Sequence, residues 1–283
     1  MIKKYIQLIK PGYIFANTFT AMAGFFLASH IFSPTLFVTT MTAVAFGIAA
    51  ACIVNNYIDK GIDSKMNRTK KRVLVTGEIP VRTALFLAVF FAAISTVLFI
   101  RFTNLITLLD YFFGLFFYLV LYSISKRRTS WSTVIGSVSA AIIPVAGYTA
   151  VTGRIDLTAI LLFLAIAFWQ MPHFYAIAIY RRKDYENAHL YVLPVVSGVN
   201  VTKIQILFYT VAFAVVVILL PLVRQTGIVY LVVMPALSIA WVVYALLGFF
   251  TKYVDKWARK LFFFSLIINV LWCITIIVGY FIR

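Results

Sequence analysis

Residues 55 to 72 read NNYIDKGIDSKMNRTKKR, a stretch carrying two of only eight acidic residues in a chain of 283. Asp59 and Asp63 stand one helical turn apart and are followed by Lys65, Arg68, Lys70, Lys71 and Arg72. At about 100° per residue, Asn55, Asn56, Asp59 and Asp63 fall in one sector about 100° wide on a helix. Should the preceding helix run on past residue 56, their oxygens share a face. Two carboxylates and an amide oxygen suit a hard divalent cation, and Mg2+ takes few protein ligands while leaving room for substrate phosphates. Arg68, Lys70, Lys71 and Arg72 would then hold phosphate oxygens directly. The bland alternative is a set of solvated charges, Asp59 with Lys60 and Asp63 with Lys65, compensating a basic loop at little energetic gain. Spacing alone leaves both open.

A second charged stretch, YRRKDYENAHLYVLPVVSG, begins at Tyr180. Its Asp184 follows three cations, so a salt-bridged loop acid is the default reading. The functional reading is a second metal or diphosphate pole, with metal bridging phosphates and cations neutralising the departing charge. VLVTG follows Asp63 and VLPVVSG follows Asp184, a weak echo of a duplicated unit.

Both stretches need a scaffold, and composition says which kind. The chain is 63% hydrophobic and 12% charged, with mean hydropathy +1.00; a soluble domain carries about twice that charge. Apolar segments of spanning length recur at about 13–32, 36–56, 84–101, 104–124, 132–151, 157–180, 204–223, 227–250 and 259–281. The reading is all-α: one membrane-embedded domain over 1–283, a polytopic bundle of nine transmembrane helices around a central cavity. The first segment is followed at once by another and reads as a retained helix rather than a signal peptide. All but four of the 25 cations fall on the N-terminal tail and every second connection. That asymmetry puts the N-terminus and both charged stretches at the cytoplasmic face of a cell membrane, and the C-terminus outside. The +17 net charge is then mostly one basic face that attracts anionic lipid. No soluble domain is left to carry nucleic acid. Asp110, near the outer end of the fourth span, is expected to pair at the surface with Arg101. Cys52 and Cys273 lie in apolar segments without metal or CxxC spacing and read as packing residues.

The acid-bearing stretch NNYIDKGIDSKMNRTKKRVL resembles the first aspartate-rich motif of the UbiA-type intramembrane prenyltransferases. WQMPHFYAIAIYRRKDY at 169–185 resembles the signature of that family's heme-farnesylating branch. KRRTSWSTVIGSVSAAIIPVAGYTAVTG at 126–153 and the opening KPGYIFANTFTAMAGFFLAS are similar to further blocks of the same branch. The resemblance implies transfer of a farnesyl group from farnesyl diphosphate to a vinyl group of protoheme, with water added and diphosphate released. It implies Mg2+ as cofactor and heme B as substrate rather than cofactor. It also implies a terminal oxidase, or another downstream enzyme, that takes the product by contact. Carried over by position, Asn56, Asp59 and Asp63 would hold metal with diphosphate, and Arg68 and Arg72 would contact phosphate, with Lys126 and Arg127 beside them. Lys183 and Asp184 would form the second pole. The wider family often has Asp where Asn56 stands and a further acid where Ala188 stands, which leaves the second metal open.

His173 lies inside the sixth segment, where an ionisable group is costly and functional by default. It would ligate heme iron or a propionate, or else bridge two helices by a hydrogen bond. Tyr180, at the end of that segment, stands with the substrate-binding candidates. Three rival functions remain: prenylation of a quinone precursor or other aromatic acceptor, transport, and heme binding by an assembly factor without catalysis, which would tolerate loss of Asp59 and Asp63. A transporter places charge at mid-depth, whereas the acids here sit at helix ends.

Overall fold

The computed structural model describes residues 2–282. Its secondary structure is helical throughout those residues. A short amphipathic helix α1 (Ile2–Ile9) leads into α2 (Pro11–Ala28) and α3 (Pro34–Ile58), and a single turn α4 (Lys60–Asp63) follows. After an irregular stretch come α5 (Val81–Phe102) and α6 (Leu105–Phe116). The latter continues through a π-helical segment, Phe117–Tyr122, into α7 (Ser123–Ser125). Then come α8 (Ser132–Thr152), α9 (Leu157–Tyr180), the short α10 (Arg182–Asn187) and α11 (Leu193–Val196), and finally α12 (Gly198–Val223), α13 (Ile228–Leu247) and α14 (Val254–Ile282).

Eight of these segments are long and apolar enough to cross a membrane, counting α6 to α7 as one. The protein is a multi-pass membrane protein. Helix α2 is the ninth span of the sequence reading; at 18 residues it is about 27 Å long, close to the thickness of a hydrocarbon core. The observed helices α12 and α14 start several residues before the apolar windows. Their polar first turns (GVNVTK and VDKWARK) need no hydrocarbon to be helical.

Helix starts follow ordinary chemistry. Side chains of Ser33, Asn104 and Asp156 accept from the backbone N–H groups of Leu36, Thr107 and Ala159, capping α3, α6 and α9. Tight pairing inside the bundle comes from small residues. A Cβ on Gly24 of α2 would lie 1.9 Å from the Pro144 carbonyl oxygen of α8, and one on Gly147 would lie 2.0 Å from that of Ala21. Only glycine lets these backbones meet, the device that substitutes for the hydrophobic effect between helices in lipid. Exposed Phe86, Val89, Ile204 and Phe208 mark the lipid-facing exterior.

Asp110 departs from the expectation. It does not pair with the exposed Arg101; it is 4% exposed and accepts from Thr149 Oγ on α8 at 2.6 Å. A carboxylate inside a spanning helix is better satisfied by an interhelical hydroxyl than by a cation that would have to leave water.

Candidate active site

Helix α3 ends at Ile58, so Asp59 is its C-cap residue and Asp63 closes the one-turn α4. The helix is broken rather than continuous, yet both carboxylates face one cavity of about 320 Å³ at the basic end of the bundle. Asn55, Lys10, Arg68, Arg72 and Lys126 share its wall. Asn55 Nδ2 donates to Asp59 Oδ2 at 2.9 Å, and Lys10 Nζ donates to Asn55 Oδ1 at 3.2 Å. Arg72 Nη1 pairs with Asp63 at 2.5 Å, and Lys126 Nζ pairs with Asp59. Each carboxylate therefore has its own cation. Lys10 adopts a left-handed backbone, φ 56°, at the joint between α1 and α2; strain of this kind collects at functional sites. Burial pushes the Lys10 and Lys126 ammonium groups below the ordinary lysine value, against the upward pull of nearby carboxylates.

The π-helical turn supplies the aromatic wall. Tyr118 and Tyr122 face the cavity with stacked rings 5.9 Å apart and 6° from parallel. Lys126 Nζ sits 5.1 Å from the Tyr122 ring centre, so that face already receives a cation. Tyr118, Tyr13 and Ser139 also line an apolar cavity of about 70 Å³ that continues between α3, α6 and α8 to Asp110.

Several sequence expectations are redistributed. Asn56 does not face this cavity: its Nδ2 donates to the Leu8 carbonyl at 2.9 Å, and it lines a separate pocket with Lys71. The helix turns Asn55 inward in its place. Arg127 donates from Nη2 to the Ile58 carbonyl at 2.9 Å and caps the end of α3. His173 is buried between α9 and α14, its Nδ1 at 2.7 Å from Ser265 Oγ and its ring stacked on Trp169 at 4.9 Å. The interhelical hydrogen bond among its readings is thus present. Tyr180 packs on Phe262, with Arg181 over its ring. Lys183 is exposed, and Asp184 is 4.0 Å from Arg181 and outside the cavity wall. From that second stretch it is Tyr185, Leu190 and Val192 that close the cavity. Asn55 was on the helix face read from the sequence but was given no role there, and Lys10, Tyr118, Tyr122 and Gln170 were not among the candidates. Lys10 opens one of the quoted blocks, but no periodicity marks a π turn.

The donors available fit a hard cation. They are carboxylate and amide oxygens, with no cysteine or histidine in the wall and the Met66 thioether its one sulfur. Among the described residues no group of three or more His, Cys, Asp or Glu side chains gathers for a metal, so Asp59 and Asp63 would need substrate oxygens and water to complete a shell.

A bundle of spanning helices with a two-carboxylate, cation-ringed cavity at one end defines a class. The chain belongs to the UbiA prenyltransferase family, whose model matches residues 17–267. It is similar to the protoheme IX farnesyltransferase of Photorhabdus laumondii, 43% identical over 269 residues that cover 94% of this chain and 92% of that protein. The protoheme IX farnesyltransferase of Protochlamydia amoebophila is 42% identical, covering 95% of each chain. Among solved structures, a digeranylgeranylglyceryl phosphate synthase superposes with TM-score 0.83 at 19% identity over 100% of this chain and 99% of that one. A UbiA homolog from Archaeoglobus fulgidus bound to DMAPP and Mg2+ gives TM-score 0.74 at 18% identity, over 97% and 99%.

Proposed function

We propose that the protein transfers a farnesyl group from farnesyl diphosphate to a vinyl group of protoheme IX, with addition of water, giving heme O and diphosphate. The observation that carries the site is the convergence of Asp59 and Asp63, each with its own cation, on one cavity beside stacked tyrosines. The acceptor is supported by the 43% identity to a protoheme IX farnesyltransferase over nearly the whole chain.

Asp59 and Asp63, with Asn55 beside them, would hold Mg2+, which when bound supplies charge that makes diphosphate a better leaving group. Their present partners, Lys126 and Arg72, are within reach of the same cavity and turn to phosphate oxygens when the carboxylates are otherwise engaged. Lys10 and Arg68 add to that cationic ring. The C1–O bond of the farnesyl diphosphate breaks and its electron pair leaves with diphosphate. The rings of Tyr118 and Tyr122 offer π faces to the allylic cation. The vinyl carbon bonds to C1, and water takes the new cationic carbon and releases a proton. The apolar cavity beyond Tyr118 receives the prenyl tail.

In this reading the basic end faces the cytoplasm, with the N-terminus inside and nine crossings placing the C-terminus outside. The test is heme extraction from cells with and without the protein. The expected product is heavier than heme B by a farnesyl group plus water. Transfer to a quinone precursor but not to heme, when purified protein is offered both, would overturn the acceptor.

A further inference from the structure

A second cavity of about 260 Å³ lies behind the end of α3, bordered by Asn56, Lys71, Arg68, Arg72 and Lys10. The last three also border the main cavity, so the two are one side chain apart. Their chemistry differs. The main cavity sets two carboxylates among its four cations, whereas the wall of the second carries four cations, three of them shared, and no acid. Arg68 and Lys71 form no ion pair among the described residues. Asn56 is 4% exposed, and its Oδ1 has no hydrogen-bond partner although its Nδ2 is satisfied. A buried acceptor left unpaired costs free energy and calls for a donor. A basic cytoplasmic loop accounts for exposed cations, but not for an orphaned amide oxygen among them.

We propose that this pocket receives the propionate carboxylates of the heme acceptor, an inference that rests on the heme-farnesylating reading. A diphosphate is best held where carboxylates bring a metal to bridge its oxygens, which is the main cavity. Propionates need the opposite: cations and N–H donors with no competing acid. The pocket is parted from the main cavity only by shared side chains, and propionates would reach it from the macrocycle edge opposite the vinyl groups. Asn56 Oδ1 then accepts from the Lys71 ammonium, or from a water on the carboxylate, once a ligand draws them in.

The test is Soret titration of the detergent-solubilised protein with heme B and with protoheme dimethyl ester, whose propionates are masked. Lys71→Gln should weaken heme B binding about tenfold, the loss of one charge-assisted hydrogen bond, and Lys71→Glu should weaken it further. Neither variant should change binding of the ester or the KM for farnesyl diphosphate. A rise in the farnesyl diphosphate KM instead would make the pocket a phosphate site and overturn the proposal. Equal losses for heme and ester, or no loss at all, would overturn it as well. Farnesyl transfer by the wild-type protein is scored separately. Carboxylate-dependent heme binding without transfer would fault the reaction assigned above and leave the pocket's ligand standing.

Discussion

Lys126 is bonded to Asp59 across 67 residues of chain, closing the mouth of the cavity between the end of α7 and the end of α3. Both side chains are mostly buried. Removing one leaves the other as an uncompensated charge, which costs about 3–5 kcal/mol in a buried pair. Lys126→Met should therefore lower thermal stability and activity together. Asp59→Asn with Lys126→Met should recover part of the stability but none of the turnover. Additive losses in a double-mutant cycle would show the pair to be uncoupled.

Asp59→Asn and Asp63→Asn each keep the side-chain shape and remove the charge that would hold metal and diphosphate. Product formation should fall by about 100-fold or more, while the protein still inserts in the membrane. Turnover within a factor of two of wild type in either variant would sink the assignment.

Chelation makes an independent check. Treating purified protein with EDTA should abolish transfer, and adding Mg2+ back should restore it. Zn2+ should serve poorly, since the cavity offers carboxylate and amide oxygens and neither thiolate nor imidazole. Full activity in chelator would rule out a divalent ion.

The two lysines give activity a pH dependence, and Lys10 gives stability one of the opposite sign. Lys10 and Lys126 are held below the ordinary value of 10.5, first by burial. Rising pH therefore strips the cationic ring early, and kcat/KM should fall before an exposed lysine would titrate. At Lys10, which forms no ion pair among the described residues, stability moves the other way: burial penalises its charged form, and that penalty fades as pH rises through the folded value. Lys126→Arg, which stays charged, should move the alkaline limb of the rate profile upward.

His173 is expected to matter for packing and not for heme affinity. Its hydrogen bond to Ser265 is buried, so His173→Ala should cost about 1–3 kcal/mol of stability. The heme KM should be unchanged. A selective rise in that KM would return His173 to the site.

The sequence showed the spans and the basic face clearly, because a hydrocarbon solvent permits few alternatives to apolar helices. Asp59 and Asp63 stood out because acids are few in so apolar a chain, although their spacing alone left a solvated-charge reading open. What failed was local register. The wheel assumed an unbroken helix through residue 63, but α3 stops at Ile58, and Asn55 rather than Asn56 turns inward. Asp184 and Lys183 shared a stretch with the residues that close the cavity, yet the fold used their neighbour Tyr185. His173 and Asp110 were visible as costly groups, but their partners, Ser265 and Thr149, are far along the chain and carry no signal of their own.

The π-helical turn at Phe117–Tyr122 has a consequence for how the catalytic end could have arisen. Such a turn accommodates one residue more than an α-helical turn. Deleting a single residue there would return the span to regular α winding; the lost residue and the tighter winding nearly cancel in rotation, so the chain beyond keeps its facing while the wide turn carrying Tyr118 and Tyr122 is lost. One codon's length in the middle of a transmembrane segment thus sets the offset between the two tyrosine rings that line the cavity.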